Sequence, residues 1–332
     1  MSATGRVLVT GASGFVGRHC VEVLLASGRP VRGLFRTPPG PEAAADLEAA
    51  RVHGLHDREG LRRALAGVEA VVHLAARVHV LEETAADPLA AFRAVNVEGT
   101  RTLLEESAAA GVRSFVFVSS VKAVGEASGS TTWTEATEPR PVDPYGVSKR
   151  EAEILVRAFA DEHGVHAPIL RLPLVYGPGV GANMLALLRA VARGVPLPLG
   201  AVRNRRSLAY VGNVAAAVAA VLDTPESGTE TFFVSDGEDL STPELVRRVA
   251  RALDRPARLV PVPPALFRAA GAAGDLLRRA VPVPVHSAVV DRLLGSLAVD
   301  SSRLARVTGR TPPFSVDEGL ARTAAWYRAG PR

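Results

Sequence analysis

Tyr145 and Lys149 stand four residues apart in the segment Tyr145-Gly146-Val147-Ser148-Lys149. At helical spacing, residues four apart share one face, so a phenol and an ammonium would meet in one site. A free tyrosine titrates near ~10 and is a poor base at neutral pH. A neighbouring ammonium favours the phenolate, lowers that value and makes an acid/base group. The chain has two lysines, Lys122 and Lys149, against 37 arginines, and four tyrosines. A guanidinium does not give up its proton, so a lysine kept where arginine is the default cation marks chemistry that arginine cannot perform. Lys149 could also hold a ribose hydroxyl. Ser119-Ser120 closes an apolar run upstream and offers a hydroxyl to orient a carbonyl or alcohol. Taken alone, Tyr-x-x-x-Lys equally describes a packed tyrosine and a solvated lysine; its weight comes from a second motif.

That motif lies near the start. Residues 10–17 read Thr-Gly-Ala-Ser-Gly-Phe-Val-Gly, after the apolar run Val7-Leu8-Val9 and before a helical pattern of Val16, Cys20, Val23 and Leu24. Glycines at a strand-to-helix turn let the backbone turn tightly and approach a phosphate, while the helix N-terminus supplies free N–H groups and positive dipole. The spacing is Gly-x-x-Gly-x-x-Gly rather than the common Gly-x-Gly-x-x-Gly, and a glycine-rich turn that binds nothing is the alternative. Gly11, Ser13, Gly14, Phe15, Val16 and Gly17 are thus candidate dinucleotide-binding residues, and the Tyr/Lys pair would sit beside a hydride carrier.

The elements that must position these groups alternate. Strands are expected at 6–9, 31–35, 51–55, 70–74, 115–119 and 168–172, and helices at 15–26, 42–50, 57–66, 92–110 and 145–163. This order predicts an α/β fold with a parallel, doubly wound sheet, whose ligands bind beyond the carboxyl ends of the strands. The residues to watch are then Arg36, Asp57, Leu74, Ala75, Ala76, Ser119, Ser120 and Pro173. Asp57 could meet an adenine ring or cap the helix that follows it. After Leu174 proline and glycine become dense, and short strands (207–211, 231–234), a helix (243–253) and apolar pieces (259–264, 293–299) read as a smaller lobe folded on the first. Residues 263–284, rich in Ala, Leu and Arg, read as an amphipathic helix and surface loop, open to a membrane-surface or partner role. The division expected is 1–175 for dinucleotide and catalysis and 176–332 mainly for substrate, interleaved with the first.

The 332 residues are 47% hydrophobic and 22% charged, a globular composition. Single Cys20 excludes a disulfide framework and a cysteine-based zinc site and fits a reducing compartment, so a cytoplasmic location is expected. No signal peptide is read, and the longest clean apolar run, 214–222, is too short to cross a bilayer. The formal charge of +5 is spread along the chain without aromatic interleaving, which argues against nucleic acid and suits a phosphorylated substrate. No metal site is expected.

The chain resembles the extended short-chain dehydrogenase/reductases, in the NAD-dependent epimerase/dehydratase family that acts on nucleotide sugars. The matching pieces are TGASGFVG at 10–17, HLAA at 73–76, NVEGT at 96–100, VSS at 118–120, YGVSK at 145–149 and LRLPLVYGPG at 170–179. The resemblance implies a Rossmann-type sheet with a smaller C-terminal substrate-binding lobe, and a homodimer built on the helices at 92–110 and 145–163. It implies that Gly11, Gly14 and Gly17 hold a pyrophosphate, that Tyr145 is the acid/base, and that Lys149 holds the ribose. Ser120 is the better match for the catalytic serine, with Ser119 second. Asn183, Arg206 and, less closely, Arg292 match positions that grip the nucleotide and its phosphates.

Departures from the family pattern matter as much. Val121 and Lys122 replace the Asp-Glu pair that sugar 4,6-dehydratases carry after the catalytic hydroxyl, so elimination lacks its acids. Phe35-Arg36 replaces the acidic residue that holds the adenosine ribose of NAD. Arginine there suits the extra phosphate of NADP, although an arginine stacked on adenine is compatible with NAD. Leu174, Ser207 and Tyr210 also differ from the usual epimerase pocket. The reading favours an NAD(P)(H) enzyme, NADP before NAD, that acts at C4 of a UDP-sugar. It leans to reduction of a UDP-4-keto-6-deoxy-N-acetylhexosamine in surface-polysaccharide synthesis. A UDP-hexose 4-epimerase with tightly bound NAD is the alternative, ahead of a non-catalytic dinucleotide sensor or a steroid- or flavonoid-type alcohol dehydrogenase.

Overall fold

The computed structural model describes residues 5–40, 44–78, 86–224, 228–277 and 286–330. Its first layer is a parallel seven-stranded sheet. The strands are β1 (Arg6–Thr10), β2 (Val31–Phe35), β3 (Glu48–Arg51), β4 (Val68–His73), β5 (Ser114–Ser120), β6 (Ile169–Leu172) and, from far along the chain, β9 (Thr231–Phe233). Their spatial order is β3-β2-β1-β4-β5-β6-β9. Val7, Leu8 and Val9 are all fully buried because helices cover both faces of the sheet, hence the continuous apolar run. One face carries α1 (Phe15–Ala26) and α7 (Val211–Leu222); the other carries α2 (Arg58–Leu65), α4 (Gly99–Ala109) and α5 (Pro144–His163). The apolar 214–222 run lies in α7, apolar nearly all round because it is buried nearly all round.

Three expectations fail here, the strand expected at 51–55 among them, because the third strand ends at Arg51. The Ala-rich stretch at 42–50 has strong helix propensity, yet residues 48–51 form β3, registered against Arg32–Phe35 of β2; residues 41–43 lie outside the described ones. Arg6 and Arg32 both pair with Glu48 and hold that edge strand, so tertiary pairing overrides propensity. The single helix expected at 92–110 is α3 (Pro88–Arg93), a wider π turn (Ala94–Glu98) and then α4. The extra residue in that turn swings Asn96 inward, where it is 2% exposed.

The second layer is a three-stranded sheet of β7 (Leu174–Tyr176), β8 (Arg206–Tyr210) and β10 (Asp239–Leu240). It packs with α6 (Ala182–Ala192), α8 (Thr242–Ala252) and α12 (Val316–Arg328) around Tyr176, Leu188, Leu208, Leu245 and Leu320. Helices α9 (Pro264–Leu277), α10 (Ser287–Leu294) and α11 (Ser302–Thr308) complete this side. The helix expected within 263–284 is α9; residues 278–285 of that stretch lie outside the described ones. No described helix is long and apolar enough to cross a membrane.

Candidate active site

The carboxyl edge of the sheet gathers most of the predicted residues, because β1, β2, β4 and β5 lie side by side in parallel register: Thr10, which ends β1, pairs with Leu34 and with His73, which ends β4, and His73 pairs with Phe117. Gly11 follows β1 with φ of +68°, a left-handed conformation that glycine takes without cost. A Cβ there would stand 2.9 Å from the Ala75 nitrogen, one on Gly14 would stand 3.1 Å from the Gly11 carbonyl oxygen, and one on Gly17 only 2.0 Å from that same oxygen. The turn closes with the Gly14 N–H donating to Gly11 O at 2.9 Å, and Gly14 itself caps α1 without a side-chain partner. The three glycines therefore make a close-packed cradle opening on a bare helix N-terminus, a fit for a pyrophosphate.

Beneath the cradle runs a polar chain. The backbone N–H groups of Leu74 and Ala75 donate to Thr10 Oγ1 at 3.1 and 3.0 Å. Thr10 Oγ1 is 2.7 Å from His73 Nδ1, and His73 Nε2 is 3.0 Å from Thr100 Oγ1, whose proton goes to Asn96 O at 2.7 Å. With the Thr100 proton committed, the sequence of donors assigns the His73 proton to Nε2. Burial pushes His73 down to about 3, with the Lys149 charge adding to it, so it stays neutral. Asn96 continues the framework by donating to Arg77 O and to Ser148 Oγ, both at 3.0 Å, which ties the loop after β4 to α5.

The catalytic candidates converge next to this framework. Asp143 caps α5, accepting from Gly146 N at 2.7 Å, and Pro144 opens the helix. A Cβ on Gly146 would stand 2.4 Å from Lys122 O, so the helix start lies directly on the turn Val121–Ala123 that follows β5. This contact brings Tyr145 to Ser120, whose hydroxyl hydrogen-bonds the phenol. Lys149 is 3% exposed; its Nζ donates to Val118 O at 2.8 Å and lies 4.1 Å from the centre of the Phe117 ring. Burial lowers the Lys149 ammonium to about 7. Burial also raises the Tyr145 phenol to about 12, against the hydrogen bond from Ser120. The expected lowering of Tyr145 by Lys149 is therefore corrected: the ammonium is spent on the Val118 carbonyl, and desolvation dominates both groups.

Other predicted residues divide. Ser119, expected to contact substrate, is 4% exposed and donates to Glu153 Oε1 at 2.7 Å, so it serves the interior. Both oxygens of Asp57 accept backbone N–H groups, from Gly60 at 2.9 Å and His53 at 3.0 Å, so it is the cap of α2. Arg36 is exposed just past β2, Ala75 and Ala76 follow β4, and Pro173 follows β6. Arg206 opens β8 and donates to the Arg292 carbonyl oxygen, which brings those two together; Asn183 is exposed on the first turn of α6. Val121 is buried, and Lys122 pairs with Glu126 and, at 3.2 Å, with Asp143. Sequence reasoning missed His73, Asn96, Asp143 and Glu153. An Asp-Pro pair before a helix and an acid four residues after Lys149 were the available signals.

A family model described as the NAD dependent epimerase/dehydratase family matches residues 7–234. The chain is 37% identical over 322 residues to the UDP-glucose 4-epimerase of Vibrio cholerae, covering 96% of this chain and 94% of that protein. It is 32% identical over 338 residues to a dTDP-glucose 4,6-dehydratase of Streptomyces griseus, covering 98% and 94%. Among solved structures it is similar to MoeE5 in complex with UDP-glucuronic acid and NAD, with TM-score 0.77, 29% identity and coverage of 98% and 99%. A glycine cradle, a Ser/Tyr/Lys constellation at the carboxyl edge of a parallel sheet and these matches lead to one conclusion: the chain belongs to the NAD-dependent epimerase/dehydratase family.

Proposed function

We propose that this protein is a UDP-hexose 4-epimerase that uses NAD. The observation that carries the proposal is the Ser120–Tyr145–Lys149 cluster beside the glycine cradle, with no carboxylic acid directly after Ser120. Gly11, Gly14, Gly17 and the start of α1 would hold the pyrophosphate of the dinucleotide, and Lys149 its ribose. The chemistry that bound NAD would supply there is reversible acceptance of a hydride from C4 and a positive charge that favours the Tyr145 phenolate. Tyr145 Oη then takes the proton of the sugar's 4-hydroxyl while Ser120 holds that oxygen. After the 4-keto sugar has turned over, Tyr145 returns the proton to the new alcohol. Removing water at C5 and C6 would need acids that Val121 and Lys122 do not provide.

The similarity to a UDP-glucose 4-epimerase over nearly the full chain supports this reading above the reductase expected from sequence. One observation favours the second reading: Arg36 is exposed beyond β2, free of a competing acid in sequence, and suits NADP and a 4-keto substrate consumed by NADPH. Arg206 and Arg292 are proposed to meet the UDP phosphates. A homodimer through α4 and α5 is proposed as well, supported by Ile154 of α5, 51% exposed, and Val95 of the π turn, 39% exposed. A cytoplasmic location is proposed from the single, buried cysteine. The test is incubation with UDP-glucose, UDP-N-acetylglucosamine and UDP-4-keto sugars, without and with added NADPH. Interconversion of C4 epimers without added cofactor supports the proposal, and turnover only of keto sugars with NADPH refutes it.

A further inference from the structure

One buried charge cluster takes no part in the steps above. Glu153 is fully buried on α5, one helical turn beyond Lys149. Three elements lock its carboxylate. From β6, Arg171, itself 2% exposed, donates through Nε to Oε1 at 2.9 Å and through Nη2 to Oε2 at 2.7 Å. From β5, Ser119 donates at 2.7 Å, and from α5 itself Arg150 donates at 3.2 Å. The carboxylate therefore has a bidentate arginine and two further donors, and Ser119 is the chain neighbour of Ser120. Residues i and i+4 share a helical face, so this anchored negative charge stands on the Lys149 side of α5.

We infer that Glu153 is a positioning residue for catalysis, its Arg171-locked carboxylate holding Lys149 as an ammonium in the site and fixing α5 against the strand that carries Ser120. The inference rests on the catalytic reading of Lys149. A structural clamp alone would be served by an apolar pair, since a buried ion pair is seldom worth more than well-packed hydrophobic groups. The charge matters because Lys149 is in a desolvated place. Facing it are the Phe117 ring and Val118 carbonyl of β5, neutral His73 of β4, and Glu153 of α5, with Tyr145 one helical turn before it. Asp143 acts on Tyr145, and Arg150, Arg157 and Arg171 act on Glu153. Of these, Glu153 is the group that supports the ammonium against burial.

The chain's two lysines make the test direct. Protein labelled with ε-13C lysine gives two side-chain resonances, assigned with Lys122→Arg, and each is titrated by NMR. In Glu153→Gln the Lys149 midpoint is expected to fall by about half a pH unit or more, because one nearby negative charge is gone. The alkaline decline of kcat moves to lower pH in the same direction, with KM for the UDP-sugar unchanged. Glu153→Asp restores the charge and returns the midpoint toward the wild-type value. Should Glu153→Gln not fold, Glu153→Leu with Arg171→Leu removes both charges and leaves no orphaned ion; a fall in the same direction is expected, smaller because the opposing Arg171 charge is gone as well. An unmoved Lys149 midpoint in either folded variant overturns the inference. The midpoint is read without turnover, so failure of the epimerase reading would instead appear as wild-type protein with the expected titration and no activity on any UDP-hexose.

Discussion

Replacing Gly17 with alanine separates cofactor binding from folding. The new methyl carbon would stand 2.0 Å from the Gly11 carbonyl oxygen, 2.8 Å from its carbon and 3.0 Å from Ala12 Cα. Ordinary contact begins at 3.4 Å, so the cradle and α1 must part by about 1.4 Å. All three neighbours are backbone atoms, with no flexible side-chain end to swing away. Alanine gains about 1 kcal/mol of helix propensity over glycine, and forced overpacking costs about 1–3 kcal/mol, so folding survives with a small net loss. The cradle does not: hydrogen bonds to a phosphate tolerate only a few tenths of an ångström around ~2.9 Å. Two lost bonds to a charged acceptor are worth about 3–6 kcal/mol, which is a weakening of NAD binding of about 100-fold or more. Calorimetric titration with NAD measures it, with thermal unfolding alongside. Gly181→Ala is the control, since nothing lies within 4 Å of a Cβ there. Wild-type affinity in folded Gly17→Ala would refute the cradle assignment.

Further outcomes follow from the same geometry. Tyr145→Phe should cut kcat by about 10²–10⁴ while NAD affinity stays within a few-fold; single-turnover rates and titration check both, and unchanged turnover would remove Tyr145 from its role. His73 titrates at about 3 in the folded chain against 6.5 for the free side chain. The unfolded state therefore takes up the proton first, and His73-linked stability is kept above pH ~6.5 and lost at about 1.4 kcal/mol per pH unit as pH falls toward 3. Urea unfolding at pH 7.0 and 5.5 should show that loss in the wild type and a smaller one in His73→Gln; equal losses would contradict the neutral-histidine chain. Ile154→Glu should shift the chain from dimer to monomer in light scattering, and a monomeric wild type would sink the α5 interface.

The parts of the fold carried by local pattern were legible: the apolar run of β1 and the 3.6-residue periodicity of α1 each encode themselves within a few residues. The failures share a cause in long-range partners. Glu48 looks like helix until Arg6 and Arg32 arrive from β1 and β2. Ser119 looks like a substrate contact until Glu153, 34 residues away, takes its proton. The Tyr145–Lys149 spacing was readable, but the acidity of the pair was not, because it depends on how deeply β5 and α5 bury both groups. Asp57 carried two readings in sequence; the backbone donors at His53 and Gly60 establish the cap, and contact with an adenine ring stays a proposal.

The central claim is that one bound NAD is reduced and reoxidised within each turnover. Its most direct test is on protein as purified: denature it, then identify and quantify the released dinucleotide. The account predicts NAD at close to one per chain, from protein that interconverts UDP-hexose C4 epimers with nothing added. A site that releases no NAD, binds NADPH more tightly than NADH and consumes it on a UDP-4-keto sugar would contradict the account and restore the reductase reading of Arg36.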